Sequence, residues 1–318
     1  MSISAQPQLS AFALSVQQGL SAPRKTLSPR YFYDDIGSAL FEAITLLPEY
    51  GLTRADQRLL RVHAAEIAVR AGRTATVAEL GSGSGKKTRY VLEAVCRGAG
   101  PVCYRPIDVS RAALFSCEKE LQGICEIRPV CGDWVSGLAE IAQTRDPNQK
   151  LLLLFLGSSI GNLDRHEIPK FLRDLRSHLL PGDLFLLGAD LIKNVDRMLL
   201  AYDDPTGVTA AFNLNLLGRI NRELDADFDL KSFRHEARWN ERERCVEMHL
   251  VCCRRQRVYI AALDAAIHFE AGETIWTESS HKFTRTELEE YAQCSGFQAL
   301  TAWVDQEWPF AETLWRAR

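Results

Sequence analysis

The residues best able to do chemistry begin where an apolar, β-branched run, Thr76-Val77-Ala78-Glu79-Leu80, opens into Gly81-Ser82-Gly83-Ser84-Gly85-Lys86-Lys87-Thr88. Three alternate glycines permit a tight reversal at φ values other residues resist, and leave backbone N–H groups open to a ligand. From Lys87 to Ala94 the apolar spacing predicts a helix, so the stretch reads strand, turn, helix. Pro106-Ile107-Asp108-Val109-Ser110 then places an acid roughly twenty residues past the turn, where a carboxylate can accept both hydroxyls of a ribose. Asp108 can equally cap the helix that follows. Gly132-Asp133-Trp134 offers an acceptor for an amino group such as that of adenine beside an aromatic face, or an ordinary turn with a core tryptophan. Gly157-Ser158-Ser159-Ile160-Gly161-Asn162-Leu163 is a loop of small residues through which two ligands can approach each other, or a plain glycine-rich connection.

Spacing narrows the choice for the glycine turn. A phosphate-binding P-loop needs four residues between its first Gly and the Gly-Lys pair, and Gly81 to Gly85-Lys86 is one short. The dinucleotide fingerprint G-x-G-x-x-G needs its third glycine one residue later. The remaining pattern, two apolar residues, an acid, an apolar residue and G-x-G-x-G, resembles the first motif of Rossmann-like S-adenosylmethionine (SAM) methyltransferases. The alternative is a turn that only lets a helix pack close to a strand.

The elements that must position these residues follow from periodicity. Strands are expected over 76–80, 102–107, 126–130, 151–156 and 183–188, with helical patterns between most of them. This rhythm implies a parallel α/β sheet with ligand at the carboxyl ends of its strands. Leu151 to Leu156 is apolar throughout, as a central strand covered on both faces must be. A helix over Thr284–Cys294 and strands over 298–304 and 310–315 would close the sheet as an antiparallel pair. Residues 191–280 then read as an insertion, with helices over 195–200 and 209–224 and strands over 245–253, 258–260 and 266–269. Ahead of the sheet lie a weak helical pattern in residues 1–22, an aromatic-rich turn region near Tyr31-Phe32-Tyr33-Asp34, a helix over 38–46, and a long helix ending at Ala71. Thr53 or Asp56 is the expected cap of that long helix.

Apolar content of 46% and charged content of 25% describe an ordinary globular protein, and a net charge of -3 gives no electrostatic reason to expect nucleic acid or an anionic membrane. The longest purely apolar run, Leu151 to Leu156, is too short to span a bilayer, and no basic segment followed by an apolar core opens the chain. A cytoplasmic monomer acting on a small molecule is expected. The nine cysteines form no C-x-x-C pair, and the seven histidines are scattered, so reduced thiols and no metal are expected.

Taken in order, many separate motifs resemble the SAM-dependent, histidine-specific Nα-methyltransferases that form hercynine in ergothioneine biosynthesis. They are Tyr31-Phe-Tyr-Asp34, Leu47-Pro-Glu-Tyr50, Glu79 to Thr88, Pro106 to Ser110, Gly132-Asp133 and Leu156 to Leu163. Ala201 to Asn215, Arg219 to Leu224 and Thr277 to Phe283 continue the likeness. The resemblance implies cofactor contacts from Tyr33, Gly81, Lys87, Asp108, Asp133 and Trp134, where the family more often has Phe in place of Trp134. It implies substrate contacts from Tyr50, Gly157, Asn162, Tyr202, Glu278 and Ser280. Asn162 and the Tyr202 hydroxyl suit a carboxylate, and the Gly157 carbonyl or the Asn162 oxygen suits an amine. Glu278 can accept an imidazole N–H, Ser280 can donate to or accept from the other ring nitrogen, and Tyr50 would close the pocket. Glu278 and Ser280 alternate by two, which on a strand puts them on one face. Tyr33, Tyr50 and Phe212 are candidates for an aromatic lining around a methylated, cationic nitrogen.

The resulting expectation is a Rossmann-like SAM-dependent methyltransferase sheet with a second, smaller α/β substrate-binding lobe. Residues 58–190 plus 281–318 would bind SAM, and 1–57 plus 191–280 would bind L-histidine, with trimethylation of its α-amine as the reaction. The alternatives are a methyltransferase of the same fold acting on another amino acid such as tryptophan, an NAD(P)-linked oxidoreductase, which the early third glycine disfavours, and a catalytically inert binding protein.

Overall fold

The structure, a computed structural model, describes residues 9–318. In chain order it contains α1 (Ala11–Ser21), α2 (Asp35–Leu46), α3 (Gly51–Ala71), β1 (Thr74–Leu80), α4 (Thr88–Ala99), β2 (Cys103–Asp108) and α5 (Arg111–Leu121). There follow β3 (Glu126–Ile127), β4 (Val130–Cys131), α6 (Trp134–Thr144), β5 (Lys150–Phe155), α7 (Ile168–Ser177), β6 (Leu184–Asp190), α8 (Val195–Tyr202) and α9 (Val208–Leu224). The chain ends with β7 (Phe233–Asn240), β8 (Cys245–Cys252), β9 (Gln256–Ile260), β10 (Ala265–Phe269), β11 (Thr274–His281), α10 (Arg285–Cys294), β12 (Phe297–Val304) and β13 (Phe310–Ala317). The helical pattern read over residues 1–22 is realised as α1; residues 1–8 lie outside the described residues.

Two compact units divide the chain. One holds the described residues up to Glu49, Val195–Asn240 and Val246–Ser279; the other holds Tyr50–Asn194, Glu241–Cys245 and Ser280–Arg318. Residues 50–57 fall in the second unit because α3 is one unbroken helix.

That second, larger unit is built on a sheet ordered β12-β13-β6-β5-β1-β2-β3, with β4 also pairing β2. The β1–β2, β1–β5, β5–β6, β2–β3 and β2–β4 pairs are parallel, while β13 runs antiparallel to both β6 and β12. Side chains alternate across β5. Leu151, Leu153 and Phe155 face a core with Leu138, Ile141, Leu172, Leu175 and Leu288 from α6, α7 and α10. Leu152 and Leu154 are equally buried on the other face, which is why the strand carries no polar residue after Lys150. The third strand differs from the expected continuous 126–130. It is broken into β3 and β4 around Arg128-Pro129, since proline has no N–H to give to a ladder.

The smaller unit holds α1, α2, α8 and α9, a three-stranded sheet ordered β11-β8-β7, and the β9–β10 hairpin. Strand β7 was not among the expected strands, although Arg234, Glu236, Arg238 and Asn240 alternate with Phe233, His235, Ala237 and Trp239 as in a half-exposed strand. Asp34 caps α2 by accepting from the Gly37 amide at 2.7 Å, and the same carboxylate accepts from Asn215 (2.8 Å) and Arg222 (2.6 Å) of α9. Arg219 donates to the Tyr31 carbonyl at 2.8 Å. The Tyr31–Asp34 and Arg219–Leu224 motifs therefore clamp α2 to α9.

Candidate active site

In the larger unit β1 lies between β2 on one side and β5 on the other, and the connections from these strands leave in opposite directions. Ligands bind at such a switch point, outside the carboxyl ends of the strands. There the glycine turn takes the conformation its residues were chosen for: φ is +69° at Gly81, +51° at Gly83 and +72° at Gly85. A Cβ on Gly85 would also sit 2.7 Å from the Cys117 sulfur. Gly81 N–H donates to the Ile107 carbonyl at 2.8 Å, tying the turn to β2.

Asp108, at the end of β2, completes this cradle. Its two oxygens accept from the Gly83 amide (3.2 Å) and the Ser110 amide (2.8 Å), while Ser110 itself caps α5. The helix-cap alternative for Asp108 is thus taken by its neighbour. Burial raises the Asp108 carboxyl above its ordinary value, and the amides pull it back. Asp133 is exposed and caps α6, accepting from the amides of Val135 (3.1 Å) and Ser136 (3.0 Å). Bonds from the Ser136 hydroxyl and amide hold its carboxyl below the usual range. Trp134 packs edge-on against Phe155 at 4.8 Å, and its indole nitrogen lies 3.3 Å from where a Gly81 side chain would begin.

Beneath the turn lies a buried acidic layer that sequence reasoning missed. Glu79 accepts from the Thr88 hydroxyl at 2.8 Å and from the Tyr104 hydroxyl, bracing β1 to α4 and β2. Burial pushes its carboxyl up to about 7 against the pull of those bonds. Asp56 is not a helix cap: α3 starts at Gly51 with Tyr50 in the cap position and no side-chain cap bond. One turn further in, fully buried, Asp56 accepts from the Lys87 ammonium at 2.5 Å and from the Gly157 amide at 2.9 Å. Burial disfavours the Lys87 charge, yet Asp56 outweighs it and the ammonium is held above its ordinary value. The only outward sign of this role was an acid on the apolar face of α3.

The loop after β5 is equally constrained. Gly157 has φ +72°, and a Cβ there would lie 2.8 Å from the Lys87 ammonium. Ser158 adopts φ +60°, its hydroxyl accepting from the Asp190 amide at 2.9 Å. Asn162 ends the 3-10 turn Ser159–Asn162. Tyr50 is buried beside Gly51, where a Cβ would lie 2.3 Å from the Trp308 ring. Ser280 accepts from Lys282 at 2.9 Å, and Lys282 pairs with Asp190 at 2.9 Å, all three buried. The structure thus brings Tyr50, Gly81, Lys87, Asp108, Asp133, Trp134, Gly157, Asn162 and Ser280 into one unit.

Tyr33, Tyr202, Glu278 and Phe212 belong to the smaller unit. Tyr33 contacts Phe41 at 5.6 Å and Phe212 at 5.9 Å, and Phe212 stacks on Phe32 at 4.5 Å. Tyr202 ends α8, where its carbonyl accepts from His235 Nε2 at 2.7 Å; Asn213 meets the other ring nitrogen at 2.8 Å. Burial keeps this imidazole below its ordinary pKa. Glu278 is buried on β11, the strand that also carries Ser280 two residues on.

A parallel sheet, a left-handed glycine turn feeding a helix, and an acid from the neighbouring strand bonded to that turn define a Rossmann-type fold for an adenosyl cofactor, closed by the antiparallel hairpin of the methyltransferase class. Residues 12–317 match the family described as histidine-specific methyltransferase, SAM-dependent, and the chain belongs to that family. It is 42% identical over 308 residues to a histidine N-alpha-methyltransferase of Mycobacterium tuberculosis (strain CDC 1551 / Oshkosh), covering 96% of this chain and 94% of that protein. The same identity and coverage hold for the histidine N-alpha-methyltransferase of Mycolicibacterium smegmatis. Ergothioneine biosynthesis protein 1 of Neurospora crassa is 28% identical over 280 residues, 86% of this chain and 31% of that longer protein. No helix among the described residues is long and apolar enough to cross a membrane.

Proposed function

We propose that this chain methylates the α-amino group of L-histidine with SAM, three times, to give hercynine for ergothioneine biosynthesis. The observation that carries this reading is the 42% identity to histidine N-alpha-methyltransferases over nearly the full length of both chains. The residues present fit the cofactor. A turn with three left-handed glycines leaves its backbone accessible, Asp108 supplies a carboxylate for ribose hydroxyls, and Trp134 supplies a ring face for adenine. Tyr33, Gly81, Lys87, Asp133 and these two residues are the proposed cofactor contacts. When bound, SAM supplies an electrophilic methyl group.

The chain's own task is to deliver a neutral amine in line with that methyl. Asn162 and the Tyr202 hydroxyl hold the substrate carboxylate, and the Gly157 carbonyl and the Asn162 oxygen accept from the amine. Glu278, Ser280 and Tyr50 take the imidazole. Each transfer leaves one proton to be lost from nitrogen before the next, and needs no nucleophile from the protein. Positioning of this kind contributes up to about 7–11 kcal/mol in favourable cases. Selectivity follows from Glu278 and Ser280, because an apolar substrate side chain would offer neither of them a hydrogen-bonding group.

The test is calorimetric titration with L-histidine and with L-tryptophan in the presence of S-adenosylhomocysteine, followed by mass spectrometry of a SAM reaction. Preferential histidine binding with mass gains of one to three methyl groups is expected. Preference for tryptophan, or no turnover of histidine by protein that retains cofactor, would overturn the substrate assignment.

A further inference from the structure

Among the described residues of the larger unit, four carboxyl oxygens are buried without a hydrogen-bond donor; Asp190 Oδ2 has the Lys282 ammonium at 2.9 Å, which leaves Oδ1 of Asp56 and both oxygens of Glu312. They belong to one place. Glu312 projects from β13 opposite Gly188 of β6, and a Cβ on Gly188 would lie 2.8 Å from Glu312 Oε1 and 3.3 Å from the Gly157 nitrogen. That Gly157 amide already donates to Asp56 Oδ2, which also binds the Lys87 ammonium. Asp56 from α3, Gly157 from the loop after β5, Gly188 from β6 and Glu312 from β13 therefore converge beside Lys87.

Two buried carboxylates facing one ammonium carry an uncompensated charge, and two ionised carboxylates offer each other no hydrogen. A single proton resolves both problems. Lys87 and the Gly157 amide stabilise the anion on Asp56, whereas Glu312 has no such support, so the proton belongs on Glu312.

We propose that Glu312 stays protonated at neutral pH and donates to Asp56 Oδ1, making the Asp56–Glu312 pair the positioning device for Lys87 and the Gly157 peptide. Burial, and then the Asp56 carboxylate, push the Glu312 carboxyl well above its ordinary range, in the direction this requires. The charged or titratable groups facing it are Asp56 from α3, Lys87 from the turn after β1 and Glu79 from β1; Gly188 and Gly157 bring none. The consequence reaches the reaction through Gly157. With its amide pinned by Asp56 and its φ at +72°, Gly157 is anchored on its N-terminal side, and its carbonyl is a proposed acceptor for the substrate amine. The turnover part of this inference rests on the histidine methyltransferase reading; the shared proton does not.

The experiment compares the full chain with Glu312→Gln, Glu312→Leu and Glu79→Gln by infrared difference spectroscopy, S-adenosylhomocysteine titration and histidine kinetics. A protonated-carboxyl C=O component at neutral pH is expected to be kept in Glu79→Gln and lost from Glu312→Gln, which retains only the separate component of the partly protonated Glu79. Glu312→Leu, which strips Asp56 of its donor, is expected to lower kcat about tenfold or more, with Glu312→Gln restoring most of the loss through its N–H. A parent spectrum in which Glu312→Gln removes no such band would overturn the proposal. So would equal impairment of the Gln and Leu variants. If Glu312→Leu does not fold, the Gln variant and the spectra still decide. If the parent does not turn over histidine, the functional reading fails while the band and the cofactor titration still test the pair.

Discussion

Lys282 donates to the Ser280 hydroxyl at 2.9 Å in a site where both residues are buried, and its charge is balanced by Asp190 at 2.9 Å. An ammonium can only donate, so Ser280 accepts on that side, which favours its hydroxyl hydrogen being directed elsewhere. On the proposed substrate, that matches an imidazole nitrogen without hydrogen. Lys282→Met is expected to weaken histidine binding about tenfold and to cost about 1–3 kcal/mol of stability, since Lys193 still compensates Asp190. Calorimetry with histidine and with S-adenosylhomocysteine checks it; equal weakening of both ligands would show general damage and not loss of a substrate contact.

Glu79 makes stability depend on pH in an unusual direction for a carboxyl. Its ordinary value is 4.5 and burial lifts it to about 7, so the fold favours the protonated form. Its contribution is fully present below about 4.5 and drains as pH rises through about 7, a window worth about 3 kcal/mol at most. Glu312 acts in the same direction. Urea unfolding across this range should show falling stability, and Glu79→Gln should flatten the slope.

Asp204 works the other way. Burial would raise its carboxyl, but the Thr206 hydroxyl and the Thr209 and Val208 amides outweigh burial and bring it down to about 2 from 3.8. Its stabilisation of the α9 start is present above 3.8 and is lost as pH falls through about 2. Asp204→Ala removes the acceptor of the Val208 and Thr209 amides at the start of α9 and is expected to cost about 1–2 kcal/mol at neutral pH, with a smaller difference from the parent in acid. Denaturant midpoints at neutral and acid pH measure both.

Gly161 cannot accept a side chain, because a Cβ would stand 2.8 Å from the His281 carbonyl oxygen, a backbone atom with little freedom to yield. Gly161→Ala should displace the 157–162 loop and reduce kcat/KM for histidine about tenfold or more while leaving cofactor affinity close to that of the parent, in keeping with the sensitivity of turnover to small misplacement. Paired kinetics and S-adenosylhomocysteine titration decide it.

Much of this architecture is local in origin and was readable from the chain. Alternate glycines after an apolar strand, the unbroken Leu151–Phe155 run and the Thr284–Cys294 periodicity each specify an element through the preferences of a few adjacent residues. The α10 capping box at Thr284 and Glu287 is of the same kind. Tertiary structure alone decided the partners. Asp56 lies 101 residues from Gly157 and 31 from Lys87, so no local pattern could show that an acid resembling a helix cap is the counter-ion of the glycine-turn lysine. Glu312 lies in the closing strand expected over 310–315 and observed at Phe310–Ala317, and drew no notice from sequence. Its meaning comes from burial, which turns an ordinary carboxyl into a group that must find a proton or a cation. Spacing along the chain determines which elements form, whereas the charge state of a buried side chain depends on what distant elements place against it.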